Sequence, residues 1–203
     1  MERTVYIKSY NSPQINKSEI LRYCKSEADP AILSLVDSCI SEAEDKISYN
    51  VCYAISEIKV DGDFVDLGFS SVRSHSLARC LEGCTEIIVF AATVGAGIDR
   101  LIHRYSVTSP SRAVILQALG SERVEALCDA FCDEIKNSLA ERGDSVRPRF
   151  SPGYGDLSIE VQRDLFAFLN PTARIGVTLN DNCFMLPQKS VTAIIGVRKN
   201  GNS

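Results

Sequence analysis

In this 203-residue chain, the side chains best suited to holding a small ligand gather in Arg147-Pro148-Arg149-Phe150-Ser151-Pro152-Gly153-Tyr154-Gly155-Asp156. Arg149 carries a planar five-donor guanidinium that meets a carboxylate or phosphate at two points. Tyr154 offers a flat face with a polar tip, suited to stacking on an aromatic or sugar group. Pro148 and Pro152 stiffen the segment and remove two amide donors. Gly153 permits a positive φ or a close approach of backbone to ligand. The set fits a ligand with an anionic end and a flat end. It fits equally a structural loop whose arginine pairs with an acid of the fold itself.

Other residues with chemical potential lead to weaker readings. Gly95-x-Gly97 after an apolar run suggests a dinucleotide fingerprint, but Arg100 stands where the third glycine belongs. The acid expected further on falls at Glu122, inside a helical pattern. These glycines are therefore read as turning a strand into a helix. The eight cysteines include Cys80-x3-Cys84 and Cys128-x3-Cys132, spacings that put two sulfurs on one helical face. There is no Cys-x-x-Cys, and His75 and His103 are the only histidines, so packing is expected and no metal site. Glu42, Glu44 and Asp45 read as members of solvated helix faces. No phosphate loop, nucleophile elbow or zinc-protease motif is present.

The elements that must position the loop follow from periodicity. Short and long amphipathic helices are expected at 17–25 and, after Asp29-Pro30, over Ile32 to Ile47. A strand over 51–60, a turn at Asp61-Gly62-Asp63 and a hairpin partner at 64–67 come next. A helix near 73–82 precedes a continuous apolar strand, Glu86 to Val94, of the kind found in the middle of a sheet. Gly97 opens another helix. Ser109-Pro110 starts a long helical stretch, interrupted or kinked at Gly120, whose second half runs Val124, Leu127, Cys128, Phe131, Ile135 and Leu139. The segment 144–158 has no periodicity and is the candidate binding loop. A helix over 159–169 and strands at 173–179 and 191–198 complete the chain.

With its neighbours, this loop resembles the activation domain of cobalamin-dependent methionine synthase. The resemblance is carried by Arg149-x-x-Pro152-Gly153-Tyr154, Leu165-Phe166-Ala167-Phe168-Leu169, Ile175-Gly176-Val177-Thr178-Leu179, Met185-x-Pro187-x-x-Ser190-Val191 and Glu125-Ala126-Leu127-Cys128-Asp129. It is strongest over 121–197, and Thr93-Val94-Gly95 is similar to small stand-alone relatives of that domain. The resemblance implies an α+β fold as a single domain over 1–203, with a mixed, largely antiparallel twisted sheet packed with helices. It implies S-adenosylmethionine as the bound cofactor, and cobalamin only through a partner protein. By the same resemblance, Arg149 would grip the methionine carboxylate, while Ser151, Gly153 and Tyr154 would line the adenosine side. Glu125 would face the ligand from its helix.

The function so implied is that of a stand-alone reactivation partner of a methionine synthase, for reductive methylation of cob(II)alamin. It would be an accessory component, with a flavodoxin-like electron donor involved indirectly. The alternative is a non-catalytic module of the same fold that docks on a corrinoid protein without using S-adenosylmethionine. The family's tyrosine-bearing turn after the last strand has no counterpart in Arg198-Lys199-Asn200-Gly201-Asn202-Ser203, nor has its N-terminal aspartate. Net charge is −4, which supplies no basic field for nucleic acid or anionic lipid. The start, Met1-Glu2-Arg3-Thr4-Val5, lacks the apolar stretch of a leader, and no run is long enough to cross a bilayer. A cytoplasmic location with reduced thiols is the expectation.

Overall fold

The computed structural model describes residues 4–200; Met1 to Arg3 and Gly201 to Ser203, on which parts of the terminal readings rest, lie outside. In chain order the elements are β1 (Tyr6–Tyr10), α1 (Lys17–Cys24), α2 (Pro30–Ala43), β2 (Tyr49–Glu57), β3 (Lys59–Asp61), β4 (Phe64–Asp66) and β5 (Ser71–Arg73). They continue with α3 (His75–Cys80), β6 (Glu86–Thr93), α4 (Gly97–Thr108), α5 (Pro110–Ala140) and β7 (Ser145–Val146). The last are α6 (Val161–Leu169), α7 (Pro171–Ile175), β8 (Thr178–Leu179), β9 (Met185–Leu186) and β10 (Ser190–Arg198).

The class is α+β. The main sheet runs β1-β2-β6-β10-β7, with small sheets β3-β4-β5 and β8-β9 beside it, and its pairings are antiparallel. The apolar run of β6 lies in the middle because both of its faces are covered. Ile88, Phe90 and Ala92 pack toward α1, α2, α4 and α5, while Ile87, Val89 and Ala91 pack toward α3 and α6. Burial on both faces removes any reason for alternation.

Four expectations are corrected. The long helix is not broken at Gly120; α5 is continuous over 31 residues. Glycine is there for space, since a Cβ at 120 would lie 2.9 Å from Lys189 Cγ and 3.2 Å from Ile98 Cγ1. The strand expected over 51–60 ends at Glu57, where the Ile58 amide donates to the Thr85 carbonyl, and β3 and β4 join β5 in their own sheet. Of the strand expected over 173–179, only Thr178–Leu179 is strand, β8, and residues 173–175 belong to helix α7. Pro171 sits in its first turn, Asn170 Oδ1 accepts from the Ala173 amide, and Gly176 closes it at φ +70°. Glu42 is not on a solvated face: its carboxylate accepts from Tyr105 (2.7 Å) and Arg112 (2.6 Å).

The cysteines belong to this packing. Cys128 is fully buried and Cys132 packs on the same core. Cys84 lies beyond the end of α3, so Cys80 and Cys84 do not share a helical face. Gly95 turns the chain at φ +78°, and a Cβ on Gly97 would meet the Lys46 carbonyl oxygen at 1.9 Å. Both glycines thus serve the strand-to-helix turn.

Candidate functional site

The Arg147–Asp156 loop is held at both ends. The Arg147 amide donates to the Gly196 carbonyl, and Phe150 exchanges two backbone hydrogen bonds with Ile194 of β10 (2.8 and 2.9 Å). At the far end the Asp156 carboxylate accepts from Ser74 Oγ (2.5 Å) and from the amides of His75 (2.8 Å) and Ser76 (3.1 Å). The Ser74 hydroxyl and these amides hold the Asp156 pKa far below the usual carboxylate range. Gly155, at φ +57°, lies so close to Ser76 that a Cβ would sit 2.7 Å from its Oγ. Gly153, at φ +89°, donates its amide to the Leu157 carbonyl and sets the turn that carries Tyr154.

Beyond the Phe150–Ile194 bridge the loop leaves β10, and a cleft of about 470 Å³ opens between them. Its lining includes Glu125, Arg149, Ser151 and Tyr154, four of the five residues singled out from sequence. Gly153 is not on the lining; it shapes the turn behind it. Tyr154 stands 70% exposed at the mouth.

At one end, α5 presents Glu125 and Asp129 a helical turn apart on one face. Glu125 Oε2 accepts from Arg149 Nη2 at 2.5 Å, and Asp129 Oδ1 lies 3.2 Å from the same nitrogen. Arg149 Nη1 is buried with no hydrogen-bond partner. Burial opposes the arginine's charge, but neighbouring Cys128, Glu125 and Asp129 outweigh it and hold its pKa above the ordinary value. Beneath, burial raises the Cys128 thiol pKa strongly and pushes Cys132 up to about 11. Those sulfurs are neutral packing at neutral pH.

At the other end, Gln162 of α6 is only 4% exposed and Thr192 of β10 only 3%. Gln162 Nε2 donates to the Cys183 carbonyl (3.0 Å), and Thr192 Oγ1 donates to Gln162 Oε1 (3.1 Å). Cys183 sits at φ +60° in the β8–β9 turn, where Asn180 Oδ1 accepts from the amides of Asn182 and Phe184. Met185 and Ile159 give the cleft an apolar wall here, and the turn itself lines a neighbouring cleft that shares Ile159, Gln162 and Met185. Sequence reading missed Asp129, Gln162 and Thr192. One signal was available: Gln162 shares the buried stripe of Leu165 and Leu169, where an amide must have internal partners. Among the described residues no cluster of three or more His, Cys, Asp or Glu lies close enough to hold a metal ion.

These features define an α+β protein whose helices cover an antiparallel sheet and whose loop after the long helix walls a cleft. Residues 77–202 match the family described as the vitamin B12-dependent methionine synthase activation domain, and the chain belongs to that family. The match begins well upstream of residue 121, taking in most of α3 and all of β6. A crystal structure of the MetH reactivation domain bound to AdoHcy superposes with a TM-score of 0.70 at 12% identity, covering 98% of this chain and 80% of the other. No curated protein sequence matches significantly. Among the described residues no helix is long and apolar enough to cross a membrane.

Proposed function

We propose that this chain, as one unit over 1–203, binds S-adenosylmethionine in the cleft and serves as a separately supplied reactivation partner of a cobalamin-dependent methionine synthase. The observation that carries the reading is the lining of the cleft, which sets the Arg149 guanidinium and the Glu125 carboxylate beside Ser151, Tyr154, Ile159 and Met185. The Arg149 side chain is 25% exposed, and a guanidinium on a cleft wall meets a carboxylate through charge-assisted hydrogen bonds. Glu125, 43% exposed beside it, is placed to meet the ligand's ammonium. The apolar wall with Tyr154 suits the adenosine ring, with Ser151 and the Gly153 turn at its edge.

When bound, S-adenosylmethionine supplies an electrophilic methyl group and the partner's corrinoid accepts it, with an electron from a flavodoxin-like donor. The protein's own residues bind and orient. Arg149 and Glu125 fix the amino-acid end, and the Asp156 tether and the Phe150–Ile194 bridge keep the loop from drifting. Met185, Ile159 and Tyr154 exclude water from the ring. Family membership and the fold of the AdoHcy-bound relative support this reading.

One observation favours the alternative of a non-catalytic module docking on a corrinoid protein: Arg149 Nη2 is already engaged by Glu125 and Asp129. Calorimetric titration with S-adenosylmethionine, with and without a cobalamin-binding partner, separates the two. Wild type is expected to bind, and Arg149→Ala to lose at least about 1.5 kcal/mol through the missing charge-assisted pair. No heat under either condition leaves only the docking module.

A further inference from the structure

The cleft's inner end has a fixed hydrogen-bond polarity. A backbone carbonyl can only accept, so the Cys183 oxygen forces the Gln162 amide to turn its NH₂ that way (3.0 Å). Gln162 Oε1 must then face Thr192, whose hydroxyl proton is spent on it (3.1 Å). Ser190 behaves alike, because the acceptors for its one proton are internal: the Pro187 carbonyl and Thr93 Oγ1, each at 2.8 Å. Thr192 and Ser190 both line the cleft, yet neither has a proton left to give a bound molecule. What these two hydroxyls have left is acceptor capacity, in contrast to the donors of Arg149.

We infer that Thr192, set by Gln162, is a specificity-determining residue: it accepts a hydrogen bond from the amino edge of the bound base and rejects a base carrying a carbonyl there. This rests on the adenosyl reading above. Gln162 acts through Thr192 and is a positioning residue. The base, and not the ribose, reaches Thr192 because the apolar Ile159 and Met185, which suit a flat ring, flank Gln162. A carbonyl in place of the amine would set two acceptors face to face with no proton between them. Discrimination of this origin is large because the penalty is an unpaired buried polar group.

The test is calorimetric titration of the intact chain with S-adenosylhomocysteine and with its deaminated counterpart, S-inosylhomocysteine. Wild type is expected to prefer the amino form at least ~10-fold. Thr192→Val, of the same shape, should bring the two ligands within about 3-fold, and Thr192→Ser, which keeps the hydroxyl, should restore the preference. Gln162→Leu should weaken it too, since the threonine proton is then free to turn outward. Equal binding of both ligands by wild type, or an undiminished preference in Thr192→Val, overturns the inference and leaves the adenosyl reading standing. Binding of neither ligand, with or without a cobalamin-binding partner, overturns both.

Discussion

Replacing Arg123 by methionine tests how the middle of α5 is fixed. Arg123 is fully buried beside Glu122, which is 3% exposed. Its Nε and Nη2 each donate to a Glu122 oxygen at 2.5 Å, Nη1 donates to the Pro13 carbonyl at 2.6 Å, and Nη2 also to the Gln14 carbonyl at 2.9 Å. The pair clamps the segment before α1 onto α5, one turn from Glu125. Arg123→Met keeps the aliphatic volume but leaves the Glu122 carboxylate buried, with the Asn16 amide (3.0 Å) as its remaining partner. Removing one member of a buried ion pair costs about 3–5 kcal/mol, a large share of a typical domain stability of about 5–15 kcal/mol. The double variant Glu122→Gln/Arg123→Met removes the uncompensated charge while keeping the acceptor for Asn16. It should recover at least about half of the loss, because a neutral isostere avoids the charge penalty. Urea denaturation followed by circular dichroism at pH 7 measures both. A single-variant loss below about 1 kcal/mol, or a double variant no better than the single, would refute the claim that an unpaired charge dominates.

Two further predictions concern the helices behind the cleft. Tyr105, then Arg112, hold the Glu42 pKa below its ordinary 4.5, so the stability it contributes is complete above that pH and lost as pH falls through the depressed value. Glu42→Gln should therefore cost about 1–2 kcal/mol at pH 7, with the difference from wild type vanishing in acid, as read from urea midpoints across pH 3–7. Gly97→Ala would place a Cβ 1.9 Å from the Lys46 carbonyl oxygen, and backbone cannot yield as a side chain does. A loss of about 3 kcal/mol is expected in the same assay, and a neutral result would mean that α4 can shift freely against the chain before β2.

Particular residues show where sequence reading reached and where it stopped. The stripe on α2, the apolar run of β6 and the cap at Asp29 were legible because they depend on periodicity and local backbone chemistry. Gly120 was misread because a glycine in a helix signals either a break or a close neighbour, and the neighbour, Lys189, is far away in the chain. Ile175 to Leu179 has strand composition, yet Pro171 and Gly176 frame a helical turn; two local signals competed and capping won. Glu42 looked solvated until α4 and α5 brought Tyr105 and Arg112 against it.

By itself the sequence determined the loop's contents: the arginine, the aromatic ring, the stiffening prolines and the turn glycines, together with the family they resemble. Only the tertiary structure decided what those residues face. Arg149 meets Glu125 and Asp129 because the loop after β7 folds back along α5. Asp156 meets Ser74 across the small sheet, and Gln162 takes its polarity from the carbonyl of Cys183 in a separate hairpin. Donors and acceptors are written in residue types, but their pairing depends on distance and direction. Those are set by how the sheet and helices pack, and no local stretch of sequence contains them.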